Sequence, residues 1–320
     1  MIRFSIIIPH KNIPDLLQRM LDSIPKRNDV QVIIVDDNSD PSIVDFEHFP
    51  GLNNPNAEVY FTKEGKGAGY ARNVGLKHAK GEWLLFADAD DMYITENLSY
   101  LFDFINSDLD LDYDAIYYGE LSVAMNGERK IETFGYILQN HIVDMIDKEK
   151  FLIEYHQPWR KIVRHKLLTK YNILFEETMR NNDVMFSIKQ LHYSNKVGML
   201  AIPIYSYIRR SSSLSLNFTP QSISIAFDIA VRANKFLKTN GYNLICPMTS
   251  RYMSQVRNKS MLYYFYFLIK EAVIIDVKTA LDDYKKSCRA LGVAINPIKL
   301  LTDSVRVLLG ALYQKLISSH

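Results

Sequence analysis

The sequence predicts an α/β fold: a mostly parallel, twisted sheet flanked by helices, with a smaller antiparallel part and a helical C-terminal region. Three observations carry this expectation. Over residues 1–113, short apolar runs of strand length alternate with helical periodicities, as in a parallel sheet covered on both faces. From Asp114, two strand-like segments flank an Asn-Gly turn, which marks an antiparallel pair. After residue 215 the pattern is helical, broken at Gly241, Pro247 and Pro297. The expected division is therefore 1–215, in halves 1–113 and 114–215, followed by 216–320.

In chain order, RFSIII (3–8) is an apolar strand run ended by Pro9. IPDLLQRMLDSI then places Leu17, Met20, Leu21 and Ile24 at helical spacing. VIIV (32–35) and EVYFT (58–62) are the second and third strands. GYARNVGLKHA (69–79) reads as a helix after a glycine-rich turn, and EWLLFA (82–87) as the fourth strand. Thr95 is placed to cap a helix running to about Asn106. DAIYYGELSVAM and RKIETFGYIL form the pair around Asn126-Gly127. Helical patches follow near 147–155, 164–171 and 183–194. KVGMLAIPIYSYIRR (196–210) predicts two short strands around Pro203, then a serine-rich turn at 211–215.

The 320 residues are 48% hydrophobic, enough for a substantial core. Cys246 and Cys288 make neither a disulfide framework nor a metal-ligand spacing, which favours a reducing, cytoplasmic setting. The N-terminus lacks the pattern of a signal peptide. The most apolar stretch, MLYYFYFLI, stops at Lys270, short of a membrane span. The net charge of +2 hides an asymmetry: residues 1–195 hold 21 Lys/Arg against 30 Asp/Glu, and residues 196–320 hold 17 against 6. No nucleic-acid partner is expected.

The chemistry concentrates where strands end. Asp36 and Asp37 follow VIIV, and Asp88, Asp90 and Asp91 follow LLFA. Parallel α/β sheets bind ligands beyond the carboxyl ends of their strands. Two carboxylates about 4 Å apart repel by roughly 4 kcal/mol at an effective dielectric near 20, so such a cluster calls for solvent, protons or a cation. Each piece has a bland reading: Asp37 in a turn, the DADD acids in a solvated loop, the glycines in a linker. Gathered on one sheet edge, they point to a metal–nucleotide site. Hard oxygen donors suit Mg²⁺ or Mn²⁺. Asp37 can accept from a base N–H, Asp88 can take ribose hydroxyls, and Arg72 brings positive charge near the anion.

FSIIIPHKN, VIIVDDNS, GAGYARNVGLKHAKGEWLLFADADD and the later WRKIVRHKLL, NNDVMFSIKQL and PIYSYIRRSSSLS together resemble the family 2 glycosyltransferases. These are inverting enzymes with the GT-A fold. The resemblance covers residues 3–120 and 155–215; residues 216–320 carry no motif of the family. It implies nucleotide binding by Pro9, Asp37, Arg72 and Asp88, a metal on Asp90, and Asp91 beside it in a supporting place. It implies Asp183 as general base, with Asn182 standing where the family usually has an acid. Trp159 and Lys161 match a Trp-x-Lys element on the acceptor or diphosphate side. Read locally, Asp183 is a helix N-cap, and only the resemblance makes it a base; Trp159 is equally a core residue. Arg209 and Arg210 could clamp phosphate, although paired basic residues in a loop are usually solvated.

The reaction so implied moves a sugar from a nucleotide-diphosphate sugar, UDP by family frequency, to a hydroxyl of a saccharide or lipid-linked saccharide in polysaccharide assembly. Three other readings use similar features. A haloacid dehalogenase-like phosphatase also uses Asp-x-Asp but wants it near the start of its domain. A pyrophosphorylase wants a glycine-rich loop after the first strand, where this chain has PHKNIPD. An idle nucleotide-sugar-binding subunit would not need every acid. Residues 296–320 place Leu301, Val305, Leu308, Leu312 and Leu316 on one helical face, which either docks on the protein or lies at the inner face of the cell membrane.

Overall fold

The computed structural model describes residues 1–107, 111–132, 142–145, 147–210, 219–243, 252, 261–275, 278, 280–282 and 284–285. The chain divides into two compact units, Met1–Asn217 and Phe218–His320.

The first unit is built on one sheet. Strand β1 (Phe4–His10) lies between β2 (Val30–Asp37) and β4 (Trp83–Phe86), parallel to both, and β3 (Ala57–Thr62) extends the parallel part beyond β2. All seven residues of β1 are buried, as expected of a central strand covered on both faces. Helix α1 (Pro14–Asp22) starts with proline in its first turn, where no N–H is missed, and turns Leu17, Met20 and Leu21 inward. Helix α2 (Ala68–His78) follows Gly65 and Gly67, both at positive φ. After the two-residue β5 (Met92–Tyr93), α3 (Thr95–Ser107) buries Leu98, Leu101, Phe102 and Ile105. Thr95 is its first residue, and its hydroxyl donates to the Ser23 carbonyl at 2.9 Å.

The antiparallel part contains two findings that differ from the sequence expectation. Strand β6 (Ala115–Val123) pairs with β7 (Arg129–Glu132) as expected. The rest of RKIETFGYIL, from residue 133, lies outside the described residues. Residues 196–210 form one strand rather than two: β10 (Val197–Ile208) runs parallel to β6 through register shifts on either side of Pro203. Proline has no N–H for the ladder, and the bulge absorbs that loss without ending the strand.

The second difference is β9 (Lys161–Arg164), a strand not expected from sequence, where a helical patch was expected from residue 164. It lies between β4 and β6, antiparallel to both, and joins the two halves of the sheet. The order is β3-β2-β1-β4-β9-β6-β10-β5, with β8 (Val143–Asp144) on β10. Helices α4 (Lys148–Glu154), α5 (His165–Lys170) and α6 (Val184–Tyr193) complete this unit.

In the second unit, Thr219 and Ser222 form a capping box at the start of α7 (Pro220–Thr239). Phe227 of α7 stacks on Phe267 of α8 (Met261–Ile274) at 4.1 Å, beside a Lys270–Asp228 pair at 2.5 Å. No helix among the described residues is long and apolar enough to cross a membrane. The serine-rich turn at 211–215 and the segment 296–320 lie outside the described residues.

Candidate functional site

The adjacent acids at the end of β2 part ways. Asp36 is structural: it accepts from His10 Nδ1 at 2.7 Å and from the Ser39 amide at 2.9 Å. His10 Nε2 accepts from the Ile13 amide, so its proton sits on Nδ1 and points at Asp36. Burial raises the Asp36 carboxyl, but these hydrogen bonds outweigh it and hold the group below the usual carboxylate range.

Asp37 differs. Its Oδ2 accepts from the Gly67 amide at 2.8 Å and lies 3.6 Å from the Lys11 ammonium, while its Oδ1 is buried without a partner among the described residues. An unpartnered buried acceptor costs about 1–3 kcal/mol, a penalty that an incoming N–H removes. Pro9 lies opposite Val35, buried and without an N–H, and shapes this edge rather than donating to it.

The turn after β4 presents the other acids. Asp88, Asp90 and Asp91 each offer an oxygen, and these atoms lie within 4.8 Å of one another. Each carboxylate has its own partner. Arg72 Nη2 donates to Asp88 Oδ1 at 2.5 Å, and Arg210 pairs with Asp90. Asp91 is consumed at both oxygens, by the Tyr205 hydroxyl at 2.9 Å and the Ile208 amide at 2.8 Å. Burial pushes Asp91 up to about 8, with the charges of Asp88 and Asp90 adding to the rise. The set fits a hard divalent cation: carboxylate oxygens are the right donors, and Asp88 and Asp90 remain 32% and 26% exposed at their side chains. Among the described residues the Asp90 side chain pairs with Arg210, which itself reaches solvent, so this carboxylate could turn to a cation. Arg210, grouped from sequence with solvated loop residues, instead sits on Asp90.

Asp183 occupies the N-cap position of α6, yet its side chain makes no capping hydrogen bond. The local expectation of a cap is therefore met by the backbone and not by the carboxylate. Burial raises the Asp183 carboxyl above its usual range, against the pull of Arg72 and Lys161. Arg72 links this region to the acid turn, since its Nη1 donates to Asn182 Oδ1 at 2.9 Å while Nη2 holds Asp88. Asn73 adds a second tie, exchanging two hydrogen bonds of 2.9 Å with the Phe175 backbone. Arg72, expected from sequence to bring positive charge near the anion, is buried and braces the Asp88 carboxylate against the Asn182 side chain.

The loop preceding Asp183 packs so closely on α2 that a Cβ at Gly69 would fall 2.0 Å from the Glu176 carbonyl oxygen. Gly69→Ala is expected to destabilise the protein by about 1–3 kcal/mol and to displace this loop. Thermal melting beside a donor-binding titration checks it; a wild-type melting temperature would mean that the loop yields freely.

Trp159 and Lys161 do not open onto the surface. Trp159 is 6% exposed and stacks on Tyr205 and Tyr207 with ring centroids 4.8 and 5.5 Å apart. Lys161 is fully buried, donates to Ser187 Oγ at 2.9 Å, and lies over the Tyr117 ring. Burial pushes its ammonium down to about 7, partly offset by Asp183. Trp159 therefore meets the site through Tyr205, and Lys161 through its field at Asp183. Tyr205 and Arg19, which donates to the Asp90 carbonyl, carried no sequence signal beyond an apolar strand and an amphipathic helix.

Comparison with known proteins gives a consistent neighbourhood. The family model described as glycosyl transferase family 2 matches residues 5–168. The poly(ribitol-phosphate) beta-N-acetylglucosaminyltransferase TarS of Staphylococcus aureus is 27% identical over 213 residues, which is 65% of this chain and 35% of TarS. A poly(ribitol-phosphate) beta-glucosyltransferase of Bacillus spizizenii is 26% identical over 271 residues, which is 81% of this chain and 41% of that protein. The chain thus spans well under half the length of these relatives. Among solved structures, S. aureus TarS 1–349 in complex with UDP-GlcNAc superposes with a TM-score of 0.63 at 20% identity, covering 92% of this chain and 93% of that one.

Proposed function

The chain belongs to glycosyl transferase family 2 and has the GT-A fold, and from that premise we propose that it transfers a sugar, with inversion, from a UDP-sugar to a hydroxyl of a saccharide or lipid-linked saccharide during polysaccharide assembly. The observation that carries the reading is the division of labour among the acids: a buried free oxygen on Asp37, two reachable carboxylates on Asp88 and Asp90, and an uncapped Asp183 across Arg72.

Asp37 Oδ1 accepts from the N–H of the base. Asp88 takes the ribose hydroxyls, and Asp90 would hold Mn²⁺ or Mg²⁺. When bound, that ion supplies Lewis-acid stabilisation of the departing diphosphate. Asp183 accepts the proton of the acceptor hydroxyl as the bond to the anomeric carbon forms. A carboxylate is too weak a base to ionise a sugar hydroxyl beforehand, so proton transfer is late and coupled to attack. Its raised pKa makes Asp183 a better base than an ordinary aspartate. Arg72 keeps Asp183 and Asp88 in register by holding the neighbouring Asn182 and Asp88 itself. The family membership argues against a phosphatase. A peripheral association with the inner face of the cell membrane is inferred from the sequence of residues 296–320, which lie outside the described residues.

A thermal-shift screen of nucleoside diphosphates and their sugars, with and without Mn²⁺, tests the donor class. At one hundred times its Kd, a ligand stabilises the fold by about 2.7 kcal/mol. UDP or a UDP-sugar should raise the melting temperature by several degrees, and more with Mn²⁺. A screen in which no nucleotide stabilises the protein would remove the reading.

A further inference from the structure

We propose that Tyr205 is a positioning residue for the donor site: its hydroxyl, held between the Asp88 amide and the Asp91 carboxylate, fastens the acid turn to β10 and so aims Asp88 and Asp90. The inference rests on the donor reading given above.

The Tyr205 hydroxyl accepts from the Asp88 amide at 2.9 Å and donates to Asp91 Oδ2 at 2.9 Å. A phenol can do both at once, and here both partners belong to the same turn. Asp91 Oδ1 accepts from the Ile208 amide, three residues further along β10. The turn is therefore pinned to that strand at two points. Two residues beyond Ile208, Arg210 returns to pair with Asp90. The chain closes a loop from acid turn to strand and back to the acid turn.

The ring of Tyr205 is itself immobilised. It is fully buried, with Trp159 stacked at 4.8 Å and an interplanar angle of 12°, and Tyr93 edge-on at 5.2 Å. Packing accounts for the ring but not for the hydroxyl. Its two hydrogen bonds are the feature that a phenylalanine could not supply. They also assign Asp91 a place: with both oxygens turned to the protein, it braces the turn and leaves the donor to Asp88 and Asp90. Trp159 acquires a role of the same kind, as the plate behind Tyr205.

The test uses the full chain and Tyr205→Phe, which keeps the ring and deletes the hydroxyl. Tyr93→Phe is the control, because it removes a hydroxyl from the same aromatic cluster, where it donates only to the Phe86 carbonyl at 3.4 Å. Amide hydrogen exchange is read at Asp88, and UDP is titrated in the presence of Mn²⁺. In Tyr205→Phe the Asp88 amide should exchange at least tenfold faster and UDP should bind about tenfold more weakly; Tyr93→Phe should change neither by more than about twofold. Unchanged exchange at Asp88 in Tyr205→Phe overturns the proposal. So does faster exchange with unaltered UDP affinity, or an equal loss of affinity in Tyr93→Phe. If the wild-type protein binds no UDP, the donor reading falls, and exchange at Asp88 still decides whether Tyr205 holds the turn.

Discussion

Replacing Asp183 with asparagine is expected to lower turnover of the donor sugar by about 10²–10⁴-fold, the usual range for loss of a general base, while leaving UDP affinity close to wild type. The same variant should melt at a higher temperature near neutral pH. The sign follows from burial. The folded state raises the Asp183 pKa, so it binds that proton more tightly than the unfolded chain does. The resulting stability is complete below the unfolded pKa and is lost as pH rises through the folded one. Above the unfolded pKa, burying this carboxyl therefore opposes folding, and an amide of the same shape removes that opposition. The gain should shrink as pH falls below the ordinary carboxylate range. For the same reason, the acid limb of the wild-type pH–rate profile should lie above that range. Melting curves across pH, together with UDP release at saturating donor, check both halves. A variant that loses turnover and also stability at pH 7 would mean that Asp183 serves mainly as a helix cap.

Asp90→Asn should fail in a different way. Its carboxylate is the cation ligand proposed above, and it faces Arg210 rather than a buried amide. Neutralising it should reduce UDP affinity in Mn²⁺ to the level seen with chelator, and turnover by at least about 10²-fold, because a Lewis acid on the leaving diphosphate contributes several kcal/mol. Stability should change little, since the side chain is partly solvated and near the surface such pairs contribute about 0–1 kcal/mol. Calorimetric UDP titration with Mn²⁺ or EDTA reads the difference. If Asp90→Asn binds UDP as the wild type does in Mn²⁺, Asp90 is not the residue that holds the ion. Asp183→Asn and Asp90→Asn together separate proton transfer from leaving-group stabilisation.

The parallel half of the sheet was legible because its signal is local. FSIII, VIIV and LLF are apolar runs of strand length, and each leads into polar residues where the strand ends. Strand β9 was not legible. Its residues KIVR carry two charges, and their burial is supported by Lys161 reaching Ser187 and by Arg164 pairing with Glu82 and reaching the Tyr113 and Leu111 carbonyls. Pairing of that kind depends on residues far away in the chain, which periodicity cannot register. Pro203 misled in the opposite direction, suggesting a break where β10 merely bulges.

The candidate site shows the same division. The acids announced themselves by charge at strand ends, but not their separate fates. Asp36 and Asp37 are adjacent, yet His10 and Ser39 claim the first and leave an oxygen of the second bare. Asp88, Asp90 and Asp91 form one motif, yet Tyr205 and Ile208 take Asp91 out of it. Gly69 read from sequence as the first residue of a helix, with nothing local to show that the near contact with Glu176 makes it a packing position. In each case the deciding partner lies on another element.

The most direct test of the central claim is titration of UDP into the wild-type protein, first with Mn²⁺ and then with excess EDTA. The acid turn described here predicts saturable binding in Mn²⁺ that weakens at least tenfold on chelation. Equal affinity in the two conditions would contradict it, and would leave the carboxylate of Asp90 with no cation to hold.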